Sequence, residues 1–222
     1  MIRSFRLRRI HARFLQSCRA LEAEREYWLQ VGSFFRRVLE ILMPIPLLAL
    51  YEDGSRIVEA LHWLERNCRN APLTEDIIRH YHRLAIPNKN GLSGKYRMRN
   101  ASVKGSNIPR PHPHRIPALM RRLESKLRAQ QARFDSCIPR EDEVMTSAVE
   151  AHQQLVLIHP FTDGNGRVAR LAMNHMLRRY GCGYVILPPI SVSKEHHEAL
   201  ETAHRGDLTR LVALAKNCYY RV

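Results

Sequence analysis

Apolar runs of about 18 residues, the length that a membrane-spanning helix requires, are missing from this 222-residue chain. The nearest candidate, Ile41 to Leu50, is short and broken by Pro44 and Pro46. Cysteine is scarce as well. Cys18, Cys68, Cys137, Cys182 and Cys218 are widely separated and odd in number, with no Cys-x-x-Cys pair. That spacing excludes a disulfide framework and points to a reduced, cytoplasmic setting, with delivery into another cell or organelle left open. No internal repeat or low-complexity tract occurs. Acidic residues are few, 21 against 36 Lys and Arg, which gives a net charge of +15 and a pI near 10.2. Taken alone, this balance suggests nucleic acid or an anionic surface as a partner. The positive charge is spread along the chain, however, without zinc-finger spacing, an aromatic-interleaved RNA motif or a helix-turn-helix. Solvated basic faces and one polyanion site are therefore expected, an acidic protein target fits equally well, and no specific nucleic acid is expected.

Hydrophobic residues make up 45% of the chain, enough for one full core. Helical spacing recurs almost everywhere. Leu7, Ile10, Phe14 and Leu21 form a stripe on an arginine-rich first helix, which an ordinary packed helix, a transit peptide or a membrane-surface helix would each explain. The prolines at 44 and 46 close this extension, so residues 1–47 are read as a basic helical extension and 48–222 as the main domain. Within that domain Ile57, Leu61 and Leu64 mark one helix, and Thr74 is the N-cap of another carrying Ile77, Tyr81 and Leu84. Ile116, Leu119, Met120, Leu123 and Leu127 mark a third, with Pro117 in its first turn. Val144, Ala148, Ala151, Leu155 and Ile158 share a stripe on a fourth. Between the second and third, Tyr96 and Met98 alternate with Arg97 and Arg99 in the manner of a strand, and Val103 begins a return, so a short hairpin is expected.

Chemistry is concentrated in His159-Pro-Phe-Thr-Asp-Gly-Asn-Gly-Arg-Val-Ala-Arg170. Met173, Met176, Leu177 and Tyr180 continue with helical spacing, so the Gly164-Asn165-Gly166 turn opens a helix. The first N–H groups of a helix lack intrahelical partners and carry the positive end of its dipole, which makes this turn an anion site. Asp163 suits either a Mg²⁺ that bridges phosphate oxygens or a helix N-cap. Arg167 and Arg170 lie on one face of the first turns, where the dipole disfavours cations unless an anion intervenes. That conflict argues for a bound polyanion. His159, extended ahead of Pro160, suits a general base near its ordinary pKa of about 6.5, and Phe161 an apolar anchor. His112 and His114 lack a third ligand nearby and make only a weak metal site.

The run resembles, residue for residue, the signature of the Fic family, His-Pro-Phe-x-Asp/Glu-Gly-Asn-Gly-Arg-x-x-Arg. Gly94-Lys95-Tyr96-Arg97 with Val103 and Gly105 is similar to the hairpin flap of that family, and Leu187-Pro188-Pro189 to the segment after its motif helix. The resemblance implies an all-α fold, a helical bundle with a short β-hairpin flap beside the active loop. It also implies transfer of AMP from ATP to a Ser, Thr or Tyr hydroxyl of a target protein. His159 would take the hydroxyl proton, Asp163 hold Mg²⁺, Gly164, Asn165 and Gly166 line the anion hole, Arg167 contact the phosphate chain and Arg170 reach the γ-phosphate. Gly166 speaks against a phosphorylating variant that has lysine there. His196 and His197 fall where many relatives carry tyrosine near the adenine, so another nucleotide or a phosphocholine donor stays open, as does a non-catalytic nucleotide-binding adaptor. No glutamate is followed by Gly or Asn, as the inhibitory helix of the family requires. Thr146 to Glu150 has only part of that spacing. Inhibition is then expected from a separate protein or not at all, with Arg170 standing open; Glu26 and Glu52 are the remaining upstream candidates.

Overall fold

The computed structural model describes residues 54–86, 91–103, 106, 108–188 and 193–221. The basic extension, the boundary near residue 48, and Glu26 and Glu52 lie outside the described residues.

Helix α1 (Gly54–Asn67) turns Ile57, Leu61 and Leu64 into the core. Helix α2 (Glu75–Ala85) starts where expected. The Thr74 hydroxyl accepts the Ile77 N–H at 3.3 Å, and Glu75 and Asp76 complement the dipole in the first turn. Ile78 and Tyr81 are its buried face. A 3-10 turn (Pro113–Arg115) leads into α3 (Ile116–Ser136), which buries Ile116, Met120, Leu123, Leu127 and Phe134. Gln131 of α3 bonds both the N–H and the carbonyl of Leu73, at 2.7 and 3.1 Å, and so ties α3 to the start of α2.

Helices α4 (Glu141–Ile158) and α5 (Asn165–Arg179) share the most extensive contact among the described elements. Every residue of α5 from Val168 to Arg178 is buried, so it is the axis around which the others pack. Its polar residues are each paired. Asn174 bonds both main-chain groups of Val185, at 2.8 and 2.9 Å. His175 bridges the Tyr81 hydroxyl and the Ala71 carbonyl, at 2.6 and 2.8 Å. Arg178 meets Glu65 at 2.8 Å, and Tyr184 donates its hydroxyl to the same carboxylate. After β1 (Tyr184–Val185) come α6 (Lys194–His204), α7 (Thr209–Asn217) and β2 (Tyr219–Tyr220). The two strands pair antiparallel, Tyr184 with Tyr220 and Val185 with Tyr219.

The helical bundle is as the sequence implies, but the one strand pair among the described residues is not the expected flap. Residues 95–97 and 101–103 hold no strand, while Lys104 and Gly105 lie outside the described residues. The reason lies in where the backbone bonds go. The Arg97 N–H donates to the Pro160 carbonyl at 2.9 Å, so the segment is pinned to the active loop and not to a return strand.

Candidate active site

The motif loop joins the C-terminus of α4 to the N-terminus of α5, and its ends are set by two left-handed residues. His159 closes α4 with φ 51° and ψ 58°, its N–H bonding the Leu155 carbonyl at 3.0 Å. It is the one non-glycine residue with positive φ among those described, a conformation that costs roughly 1–2 kcal/mol. The extended conformation expected ahead of Pro160 is therefore wrong. Proline excludes the right-handed helical region for its predecessor, and here the helix ends in a left-handed cap of the kind glycine usually makes. Gly164 opens α5 with φ 75°, and a Cβ there would lie 2.2 Å from Ile86 Cδ1. Both the backbone angle and the close approach require glycine.

Between these ends the loop is held from inside. The Phe161 side chain is fully buried, stacked on the His82 ring at 4.0 Å and near Tyr96 at 5.8 Å, which makes it the expected anchor. Asn165 accepts the Phe161 N–H and donates to the Phe161 carbonyl, each at 2.9 Å. One N–H and one lone pair of its side chain are thus committed to closing the loop. Sequence reasoning missed His82. This residue accepts the Gly94 N–H at Nδ1 (2.7 Å) and donates from Nε2 to the Asp163 carbonyl (3.1 Å), a pattern that only the neutral ring can make. Burial lowers its pKa, in agreement with that role. Its place at i+4 from Ile78 and i+1 from Tyr81 on the inner face of α2 was the available signal.

Of the charged members of the motif, Asp163 and Arg167 meet. Asp163 is exposed. Its Oδ1 accepts the Gly164 N–H at 2.6 Å and its Oδ2 lies 3.3 Å from Arg167, so it is not the N-cap of α5, which has no side-chain cap. A single outward carboxylate fits Mg²⁺ brought in on a nucleotide, because that ion keeps most of its oxygen ligands from water and phosphate. No group of three or more metal-binding side chains occurs among the described residues. Arg167 also donates to the Ala85 carbonyl at 3.3 Å. Arg170 is buried, 4% exposed, and burial pulls its pKa down to about 10, so it stays charged at neutral pH. It is engaged within the protein and not standing open as expected, since a cation this deep must be solvated by its surroundings. A Cβ at Gly166 would come within 3.4 Å of its Nη1.

His159 is not a base near its ordinary pKa. Burial pushes it down to about 4, Arg110 and Arg97 add to this, and the Val156 carbonyl and Asp163 oppose it. Nδ1 is buried without a hydrogen-bond partner. His196 is fully buried, donating from Nδ1 to the Pro188 carbonyl at 2.7 Å and stacked 5.5 Å from His152, while its Nε2 is buried without a hydrogen-bond partner. His112 and His114 bond each other at 2.6 Å on the surface. Glu150 pairs with Lys126 and with Gln130 at 3.2 Å, so it faces α3.

Residues 72–177 match the model of the Fic/DOC family, and through this region the chain belongs to that family. It is 36% identical over 137 residues to the protein adenylyltransferase Fic of Drosophila mojavensis, covering 62% of this chain and 26% of that protein. The protein adenylyltransferase Fic of Aedes aegypti is 32% identical over 157 residues, covering 69% of this chain and 29% of that protein. The chain thus spans between a quarter and a third of these relatives' length. Among solved structures, a Fic domain containing signaling protein of Bacteroides thetaiotaomicron superposes with a TM-score of 0.63 at 24% identity, over 77% of this chain and 69% of that one. Fic-1 of C. elegans superposes with a TM-score of 0.61 at 26% identity, over 77% and 48%.

Proposed function

We propose that this chain transfers AMP from ATP to a Ser, Thr or Tyr hydroxyl of a target protein, releasing pyrophosphate. The observation that carries the reading is the loop geometry. A left-handed Gly164 starts α5 without a side-chain cap, Arg167 and Arg170 follow within its first two turns, and His159 ends α4 on the other side of the loop. The adenylyltransferase relatives agree with it.

In this reading the phosphates rest on the N-terminal turn of α5, where backbone donors and the dipole favour negative charge. Arg167 contacts the phosphate chain and Arg170 the γ-phosphate. Asp163 would hold Mg²⁺, which neutralises charge on the phosphate oxygens when bound. The acceptor oxygen attacks the α-phosphorus as its proton passes to the His159 imidazole. The bond from that phosphorus to the bridging oxygen breaks, and pyrophosphate carries away the electron pair. The depressed pKa keeps the His159 imidazole unprotonated at physiological pH, and it leaves a weaker base than an ordinary histidine. A target protein is the partner proposed, with inhibition either supplied by a separate protein or absent.

The test is incubation of purified protein with α-labelled ATP, Mg²⁺ and a cell lysate. Label on protein from the α- but not the γ-position supports AMP transfer; label from the γ-position alone sinks it. His159→Ala should bind ATP and transfer nothing.

A further inference from the structure

We propose that Arg97 is a positioning residue for this reaction, holding the two peptide groups that follow His159 so that the imidazole is aimed at the incoming hydroxyl. The inference rests on His159 being the base.

Arg97 is 3% exposed, and its guanidinium meets three carbonyls from three stretches of chain. Nε donates to His159 O at 2.7 Å, Nη2 to Pro111 O at 2.6 Å and Nη1 to Arg99 O at 2.8 Å. Its own backbone N–H takes the next carbonyl of the motif, Pro160 O, at 2.9 Å. One residue therefore fixes two consecutive carbonyls of the catalytic loop.

Those carbonyls follow the strained residue. The left-handed His159 directs its carbonyl away from the axis of α4, where no helical donor can reach it, and the Arg97 Nε–H meets it there. A charge-assisted bond is stronger than a neutral one, and here it favours the conformation that a non-glycine residue avoids. Because the Pro160 ring fixes the next φ, holding both carbonyls leaves the His159 Cα–Cβ direction little freedom. The planar fork serves three acceptors at set angles. Lysine offers a point charge on a flexible stem and cannot serve all three at once.

The experiment uses the full chain as wild type, Arg97→Lys, Arg97→Gln and His159→Ala. Initial rates of label transfer from α-labelled ATP to lysate protein are measured across ATP concentrations, with ATP affinity by calorimetry and thermal melting alongside. A misplacement of about 1 Å costs on the order of a hundredfold in rate. The expected result is a fall of about tenfold to a hundredfold in the saturated rate for both Arg97 variants. KM and Kd for ATP should stay within about twofold, because the α5 phosphate site is untouched, and Arg97→Lys should lose less than Arg97→Gln. Arg97→Lys, which keeps the charge and stem, carries the test if Arg97→Gln does not fold. A saturated rate equal to wild type in Arg97→Lys overturns the inference, as does a parallel loss of rate, ATP affinity and melting temperature, which marks a purely structural role. Full transfer by His159→Ala would remove the base assignment and this inference with it. An inactive His159→Ala beside fully active Arg97 variants overturns this inference alone.

Discussion

Asn165 and Phe161 bond each other twice, donor to acceptor in both directions at 2.9 Å, and this pair closes the catalytic loop from within. The asparagine of this turn is therefore a main-chain splint first. Asn165→Ala would leave a buried N–H and a buried carbonyl unpaired, at roughly 1–3 kcal/mol each. A clear fall in melting temperature should accompany loss of transfer. Unchanged melting with lost activity would instead assign the side chain to the nucleotide.

Gly164→Ala meets two obstacles, the positive φ and Ile86 at 2.2 Å. It should destabilise the fold more than Gly166→Ala, whose nearest neighbour is the end of the Arg170 side chain at 3.4 Å. Adding Ile86→Ala should recover part of the loss by removing the clash and not the backbone strain. Chemical denaturation of the four proteins decides this, and no recovery in the double variant would show that the backbone angle alone matters.

The pH dependence of transfer should reflect a base pushed down to about 4. Activity needs the neutral imidazole, so it should persist well below pH 6.5 and fall only as pH approaches 4. An acidic limb centred near 6.5 would mean that nucleotide binding restores an ordinary pKa, since a bound polyanion favours the imidazolium.

Fold stability should fall over a wider range, from about pH 6.5 down to about 4. His175 and His196 are fully buried, and burial pushes each down to about 4. A histidine whose folded pKa is depressed contributes its full stability above the unfolded value of 6.5, and loses it as pH falls through 4, because the unfolded chain binds the proton first. Each such group adds a slope of up to about 1.4 kcal/mol per pH unit within that window. Denaturant midpoints at pH 7.5, 6 and 5 should decline progressively. A flat profile would contradict burial of neutral rings.

Arg170→Ala should weaken ATP binding more than ADP binding, because a charge-assisted bond to the γ-phosphate is worth roughly 1.5–3 kcal/mol. Equal losses in calorimetry would place Arg170 on the α- or β-phosphate.

Periodicity exposed α1 to α5 and the turn that starts α5, because each is a local pattern: apolar spacing, the Thr74 cap, Pro117, the glycines. Three features resisted the same reasoning. Tyr184 and Tyr220 are far apart in sequence and their pairing is non-local. The extended segment at Tyr96 looked like one arm of a hairpin, since alternation reports an extended backbone and not its partner; the partner is the Pro160 carbonyl. Depression of the His159 pKa needed the burial and the approach of Arg110 and Arg97, neither of which a motif encodes.

His82 and Arg97 cross the same gap from opposite sides, one joining Gly94 to Asp163 and the other joining itself to His159 and Pro160. The Phe161 ring fills the space between. A displacement of residues 94–97 is therefore passed to both ends of the loop at once, to Asp163 through His82 and to His159 through Arg97.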